Sequence, residues 1–66
     1  MSNAEIVSYL DMLSEKIASM YNLSEEHSSD IVQRSPMKKL LQDDAEYVRH
    51  MPLKGWAKLV YENFAT

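Results

Sequence analysis

The amino-acid sequence predicts an all-α protein: a small bundle of four or five helices in a single domain, residues 1–66, with one long N-terminal helix followed by shorter ones. Apolar residues within positions 4–21 recur at alternating spacings of four and three, which is the pattern of one helical face. Capping residues and prolines then divide the remaining chain into short segments, and none shows the alternation of a half-buried strand. The chain has no cysteine, so its fold must rest on packing rather than on disulfides or thiolate-bound zinc.

The first helix is predicted to be the scaffold on which the other helices pack. Its apolar stripe consists of Ile6, Leu10, Leu13, Ile17 and Met20. We expect this stripe to face later apolar residues, namely Leu40, Leu41, Val48, Val60 and Phe64. Tyr9 and Met12 make the stripe wider than one packing partner needs. The sequence therefore also predicts self-association, most simply a homodimer that covers the surplus.

Capping residues place the ends of the first two helices. Ser2 or Asn3 is a suitable N-cap, and Asn22 suits the left-handed conformation that ends a helix near residue 21. Ser24 is then the N-cap of a second helix over residues 25–34. The large apolar residues of that helix are only Ile31 and Val32, so we expect it to contribute little to the core.

Three shorter segments complete the predicted bundle. Ser35 followed by proline begins a helix over residues 36–42, because proline is well tolerated at the first helical position. The acidic run from Asp43 resembles the capped start of a short fourth helix. The last helix, residues 53–64, carries apolar residues on one face.

The polar residues do not form a pattern typical of a catalytic or metal site. His27 and Asp30 lie three residues apart, but the pair of histidines four apart that typifies helical zinc sites is lacking. Asp43 and Asp44 are explained as helix-capping residues, and the single glycine cannot build a phosphate-binding loop. We therefore predict that the protein is not an enzyme and that it binds neither metal nor cofactor.

The charge distribution argues against nucleic acid as the main partner. Seven Lys and Arg residues stand against ten Asp and Glu residues, which gives a net charge of −3. Residues 1–35 carry two basic and six acidic side chains, whereas residues 36–66 carry five and four. A net negative chain is poorly suited to gaining affinity by neutralising phosphates. The alternative is a small helix-turn-helix DNA-binding protein that uses the basic C-terminal half, Lys38, Lys39, Arg49, Lys54 and Lys58.

The sequence also predicts where in the cell the protein is found. It lacks a basic segment followed by a continuous apolar run at the N-terminus, and no stretch approaches the roughly 20 apolar residues that span a bilayer. We therefore expect a cytoplasmic protein that does not bind a membrane.

The last helix is the predicted partner-binding surface, because it is apolar beyond what one core contact uses. We expect Trp56, Leu59 and Tyr61 to form the surface, with Lys54 and Lys58 as a basic rim. The alternative is that Trp56, the one tryptophan of the chain, is a core residue. Large aromatic side chains are frequent anchors of protein interfaces.

A family resemblance also indicates a protein-binding role. It is carried by YNLSEE at residues 21–26, Ile31 and Val32, the segment 36–41, Tyr47 and the segment 56–64. In these segments the chain resembles a family of small bacterial helical proteins of unknown function, whose genes often lie beside those of ADP-ribosyltransferase-like toxins. The resemblance implies an antitoxin-like or accessory role. The functional hypothesis is thus a non-enzymatic protein-protein interaction module, with a toxin as one candidate partner.

Overall fold

The computed structural model describes residues 1–65, and this part of the chain forms five α-helices and no strand. They are α1 (Asn3–Tyr21), α2 (Glu25–Arg34), α3 (Met37–Asp43), α4 (Ala45–Arg49) and α5 (Leu53–Phe64). The predicted all-α class is confirmed, as is the long first helix followed by shorter ones. The nineteen residues of α1 span about 28 Å at the helical rise per residue. Because the longest dimension of the molecule is 29 Å, α1 runs along its whole length.

Local hydrogen bonds explain where α1 begins and ends. The Ser2 hydroxyl oxygen accepts the Glu5 N–H at 3.2 Å, and a Glu5 carboxylate oxygen accepts the Ser2 N–H at 2.9 Å. This reciprocal capping box satisfies N–H groups that have no partner inside the helix. At the other end Asn22 is left-handed, with φ 54° and ψ 51°, and its N–H donates to the Ala18 carbonyl. The predicted roles of Ser2 and Asn22 are confirmed.

The second helix packs more extensively than the sequence predicted. α2 turns back along α1, and it is the most extensive packing partner of that helix. Its buried face consists of Ser28, Ile31 and Val32. Its two buried apolar residues are those that the sequence indicated, and the buried Ser28 completes the face.

The core draws on all five helices. Its buried apolar members are Ile6, Leu13, Ile17, Ile31, Val32, Met37, Leu41, Val48, Trp56, Ala57 and Val60. Most of the residues predicted to face one another are among them. Leu10, Met20, Leu40 and Phe64 are instead half-buried at the edge of the core, because they lie at the margins of their helical stripes.

Short connections join the later helices. The buried Ser35 hydroxyl donates to the Val32 carbonyl and accepts the Met37 N–H at 3.4 Å, so it links the end of α2 to the start of α3. Asp44 caps α4 by accepting the Tyr47 N–H at 3.2 Å. α4 lies beside α3, whereas α5 packs against α1 and α2.

Candidate protein-interaction surface

The only tryptophan lies in the core rather than on the predicted partner surface. Trp56 is 7% exposed, and its indole N–H donates to the Val48 carbonyl oxygen at 2.7 Å. Burial satisfies both the apolar ring and its single polar group, which is the usual requirement for a buried tryptophan. The expectation that Trp56 forms part of an exposed patch is therefore corrected: Trp56 holds α5 to the last turn of α4.

Leu59 and Tyr61 lie on opposite flanks of α5. Two residues along a helix correspond to a rotation that leaves the side chains about 160° apart. Leu59 is 43% exposed. Tyr61 is half-buried and its ring stacks on Tyr21 of α1, with ring centroids 3.6 Å apart and planes 6° from parallel. The residues predicted to form one surface are thus divided between two sides of the helix.

The two lysines of the predicted rim share the flank of Tyr61. Lys54 and Lys58 are both exposed and lie one helical turn apart. Tyr61 follows three residues after Lys58, so these side chains lie along the same edge of α5. This edge is polar and carries two positive charges, whereas the opposite edge carries Leu59.

An apolar surface forms instead where α4 meets α5, and its largest exposed member is Tyr47. This side chain is 54% exposed, and its ring meets the buried Trp56 ring edge-on with centroids 5.8 Å apart. Tyr47 therefore packs on a side chain whose indole N–H is hydrogen-bonded to α4. Leu59 follows Trp56 by three residues and lies on the adjacent part of α5.

The single glycine provides space for a third member of this surface. A Cβ atom at Gly55 would lie 2.6 Å from the Cγ of Met51 and 2.8 Å from its sulfur. Met51 therefore folds over the bare backbone of Gly55, one turn before Leu59, and is half-buried there. We call Tyr47, Met51 and Leu59 the α4–α5 apolar surface.

Sequence reasoning found only Leu59 of this surface. Tyr47 and Met51 belong to a short helix and the turn after it, where helical periodicity is too brief to show which side chains are exposed. One feature of the sequence indicates a close contact at this place. The sole glycine lies four residues after Met51 and four before Leu59, and a glycine inside a helix often marks a close approach.

The polar residues considered for metal binding are exposed, and Glu26, His27 and Asp30 line one surface depression on α2. Asp30 forms a salt bridge with Arg34, with 2.9 Å between Oδ2 and Nη2. His27 is exposed, and His50 lies with Glu46 and Arg49 in a shallow depression. Within residues 1–65, the His, Asp and Glu side chains form no group of three or more that could hold a metal ion. None of the helices described is both long and apolar enough to cross a membrane.

Comparison with known proteins adds no relative. No protein-family model, curated protein or solved structure matches this chain.

Proposed function

We propose that this chain is a non-enzymatic protein-protein interaction module that binds a protein partner through the α4–α5 apolar surface. The observation that carries the proposal is the exposure of Tyr47, whose ring contacts the buried Trp56, and of Leu59, three residues after Trp56 on α5; they are 54% and 43% exposed respectively. The exposed part of a large apolar side chain adds little to folding. It contributes to binding when a partner covers it.

The support beneath the surface favours binding. Trp56 is hydrogen-bonded to α4 and Met51 is folded over Gly55, so the anchors are held before a partner arrives. Binding then costs less side-chain entropy than it would for a mobile patch. Aromatic and methionine side chains are also the types enriched at protein interfaces.

The proposed partner is a protein with a complementary apolar groove, and the proposed role is antitoxin-like or regulatory. The resemblance to small bacterial proteins encoded beside ADP-ribosyltransferase-like toxins supports that role. A toxin of this type is therefore the first partner to test, as a purified protein.

The test compares surface variants with a matched control. Tyr47→Ala and Leu59→Ser should each weaken partner binding about tenfold or more, as truncation of an interface anchor does, while the thermal unfolding midpoint stays close to that of the parent. Val7→Ser is the control, because Val7 is a similarly exposed apolar residue on α1. Isothermal titration calorimetry with the partner provides the dissociation constants. Unchanged affinity in both surface variants would overturn the proposal.

Gly55→Ala adds a variant that moves a neighbour rather than removing a side chain. The new methyl group would occupy the space of Met51, so Met51 must leave its position. A change in affinity without a loss of helix would show that the position of Met51 matters.

A DNA-binding role is the second candidate, and one observation favours it. Lys54 and Lys58 are exposed one turn apart on α5, where they are free to contact phosphates. The net charge of −3 opposes it. Affinity for duplex DNA would fall steeply as salt rises, because each neutralised phosphate releases counterions, whereas an apolar protein interface would change little. Tight duplex binding with a steep salt dependence, lost in Lys54→Gln and Lys58→Gln, would reverse the order of the two candidates.

A further inference from the structure

One flank of α1 carries a second set of side chains that its own core does not use fully. Glu5, Tyr9, Met12 and Lys16 follow one another at spacings of four, three and four. At 100° per residue these four positions fall within about 60° of the helix circumference, beside the buried stripe. Glu5 is exposed, Met12 is 49% exposed, and Tyr9 and Lys16 are half-buried. We call these four residues the α1 flank.

The order of residues along the α1 flank is self-complementary. Glu5 and Lys16 are equally distant from the point midway between positions 10 and 11, and so are Tyr9 and Met12. When the helix is turned end for end about that point, Lys16 takes the position of Glu5 and Glu5 that of Lys16. Tyr9 and Met12 exchange positions in the same way. A surface of this kind matches a second copy of itself related by a two-fold axis.

From this pattern we infer that the α1 flank is the interface of an antiparallel homodimer. Its two-fold axis crosses α1 between Leu10 and Asp11. In this dimer Glu5 of each copy faces Lys16 of the other, and Tyr9 of each copy packs on Met12 of the other. Thioether sulfur and an aromatic ring make a favourable contact of this kind. The inference is independent of the proposed function, because that function uses the α4–α5 apolar surface.

The charged groups of the α1 flank are available for this pairing. Among residues 1–65, Lys16 makes no salt bridge. Glu5 uses Oε1 to accept the Ser2 N–H, which leaves Oε2 for a second donor. The Ser2 backbone and side-chain hydrogen bonds, aided by the positive charge of Arg49, lower the pKa of Glu5. The carboxylate is therefore ionised at neutral pH.

Charge reversal tests the register as well as the dimer. In Lys16→Glu, two Glu–Lys pairs become two Glu–Glu pairs, so we expect the dimer dissociation constant to rise about tenfold or more. Glu5→Lys should weaken its own dimer for the same reason. An equimolar mixture of the two variants should dimerise again, because every charge of one chain then faces an opposite charge of the other. Sedimentation equilibrium over a concentration series measures all three cases.

The controls separate association from folding. Asp11→Lys makes the same charge change as Glu5→Lys, but on another side of α1, and it should leave the dimer intact. Glu5→Lys removes half of the capping box, so circular dichroism must show that its helix content is unchanged. If the helix content of Glu5→Lys falls, the test of the dimer rests on Lys16→Glu alone, since that substitution leaves the cap in place. A wild-type monomer at all concentrations, equal dissociation constants for wild type and Lys16→Glu, or no recovery on mixing two folded variants would each overturn the inference.

Discussion

At the scale of single residues, two fully buried side chains differ in how well their surroundings satisfy them. Leu13 and Ser28 both have no exposed surface. Leu13 fills the centre of the core with apolar atoms. The Ser28 hydroxyl has no hydrogen-bond partner within residues 1–65, so it has lost its water without a replacement.

Alanine at these two positions should therefore change stability in opposite directions. Leu13→Ala should lower the free energy of unfolding by about 2–5 kcal/mol, because it removes apolar contacts and leaves a cavity. Ser28→Ala should raise it by about 1 kcal/mol, because the unpaired hydroxyl is removed and alanine favours helix. Urea unfolding followed by circular dichroism measures both. A Leu13→Ala protein as stable as the parent would show that α1 is not the scaffold, and a destabilised Ser28→Ala protein would reveal a partner for the hydroxyl.

The residue scale is also where sequence reasoning about the candidate site was weakest. The periodicity of α5 identifies the buried side of the helix, but Trp56 and Leu59 both lie near its margin. The buried Trp56 donates its indole N–H to the Val48 carbonyl, an acceptor that belongs to another helix. A one-dimensional pattern contains no information about such an acceptor, so it could not distinguish the buried Trp56 from the exposed Leu59.

At the scale of helices, the ends were predictable where a side chain caps the backbone. Ser2, Asn22, Ser24 and Asp44 all act as the sequence indicated, because capping is a contact between near neighbours in the chain. The packing of α2 was not predictable in the same way. Its importance depends on how much of α1 it covers, and that is a property of two helices together.

The capping box of α1 predicts a pH dependence. Because the pKa of Glu5 is lowered in the folded protein by its bonds with Ser2, the ionised carboxylate stabilises the fold above its unfolded-state pKa. That stabilisation is lost as pH falls through the folded-state value. The melting temperature should therefore fall less between neutral and acid pH in Glu5→Gln than in the parent.

Ser2→Ala tests the other half of the same cap. It should cost about 1 kcal/mol at neutral pH, as loss of an N-cap does, and less in acid, where Glu5 is protonated. Melting curves at several pH values compare both variants with the parent. Parallel curves for parent and Glu5→Gln would contradict the assignment.

At the scale of the whole molecule, the five helices are not equally anchored. α1 packs against α2, α3 and α5, whereas α4 is only five residues long, packs beside α3 and is joined to α5 through the Trp56 side chain. A domain of this size has little stability to distribute. Helices with few packed neighbours open at lower free energy than the core. The α4–α5 corner is therefore the part of the fold expected to open first.

The hydrogen bond between Trp56 and Val48 makes this opening visible by fluorescence. The chain has one tryptophan, so its emission reports on that corner alone, while circular dichroism reports on all helices. We expect the emission to shift to longer wavelength at a lower urea concentration than the loss of helical signal. Coincident transitions would show that the corner opens only with the whole domain.

The same indole N–H is a single, assignable proton in an NMR spectrum, and its hydrogen–deuterium exchange rate measures how often the corner opens under native conditions. A partner that covers Tyr47 and Leu59 would slow that exchange without touching the indole nitrogen, because it holds α4 in place. The buried tryptophan thus provides a label-free probe for screening candidate partners, even though it is not itself a contact residue.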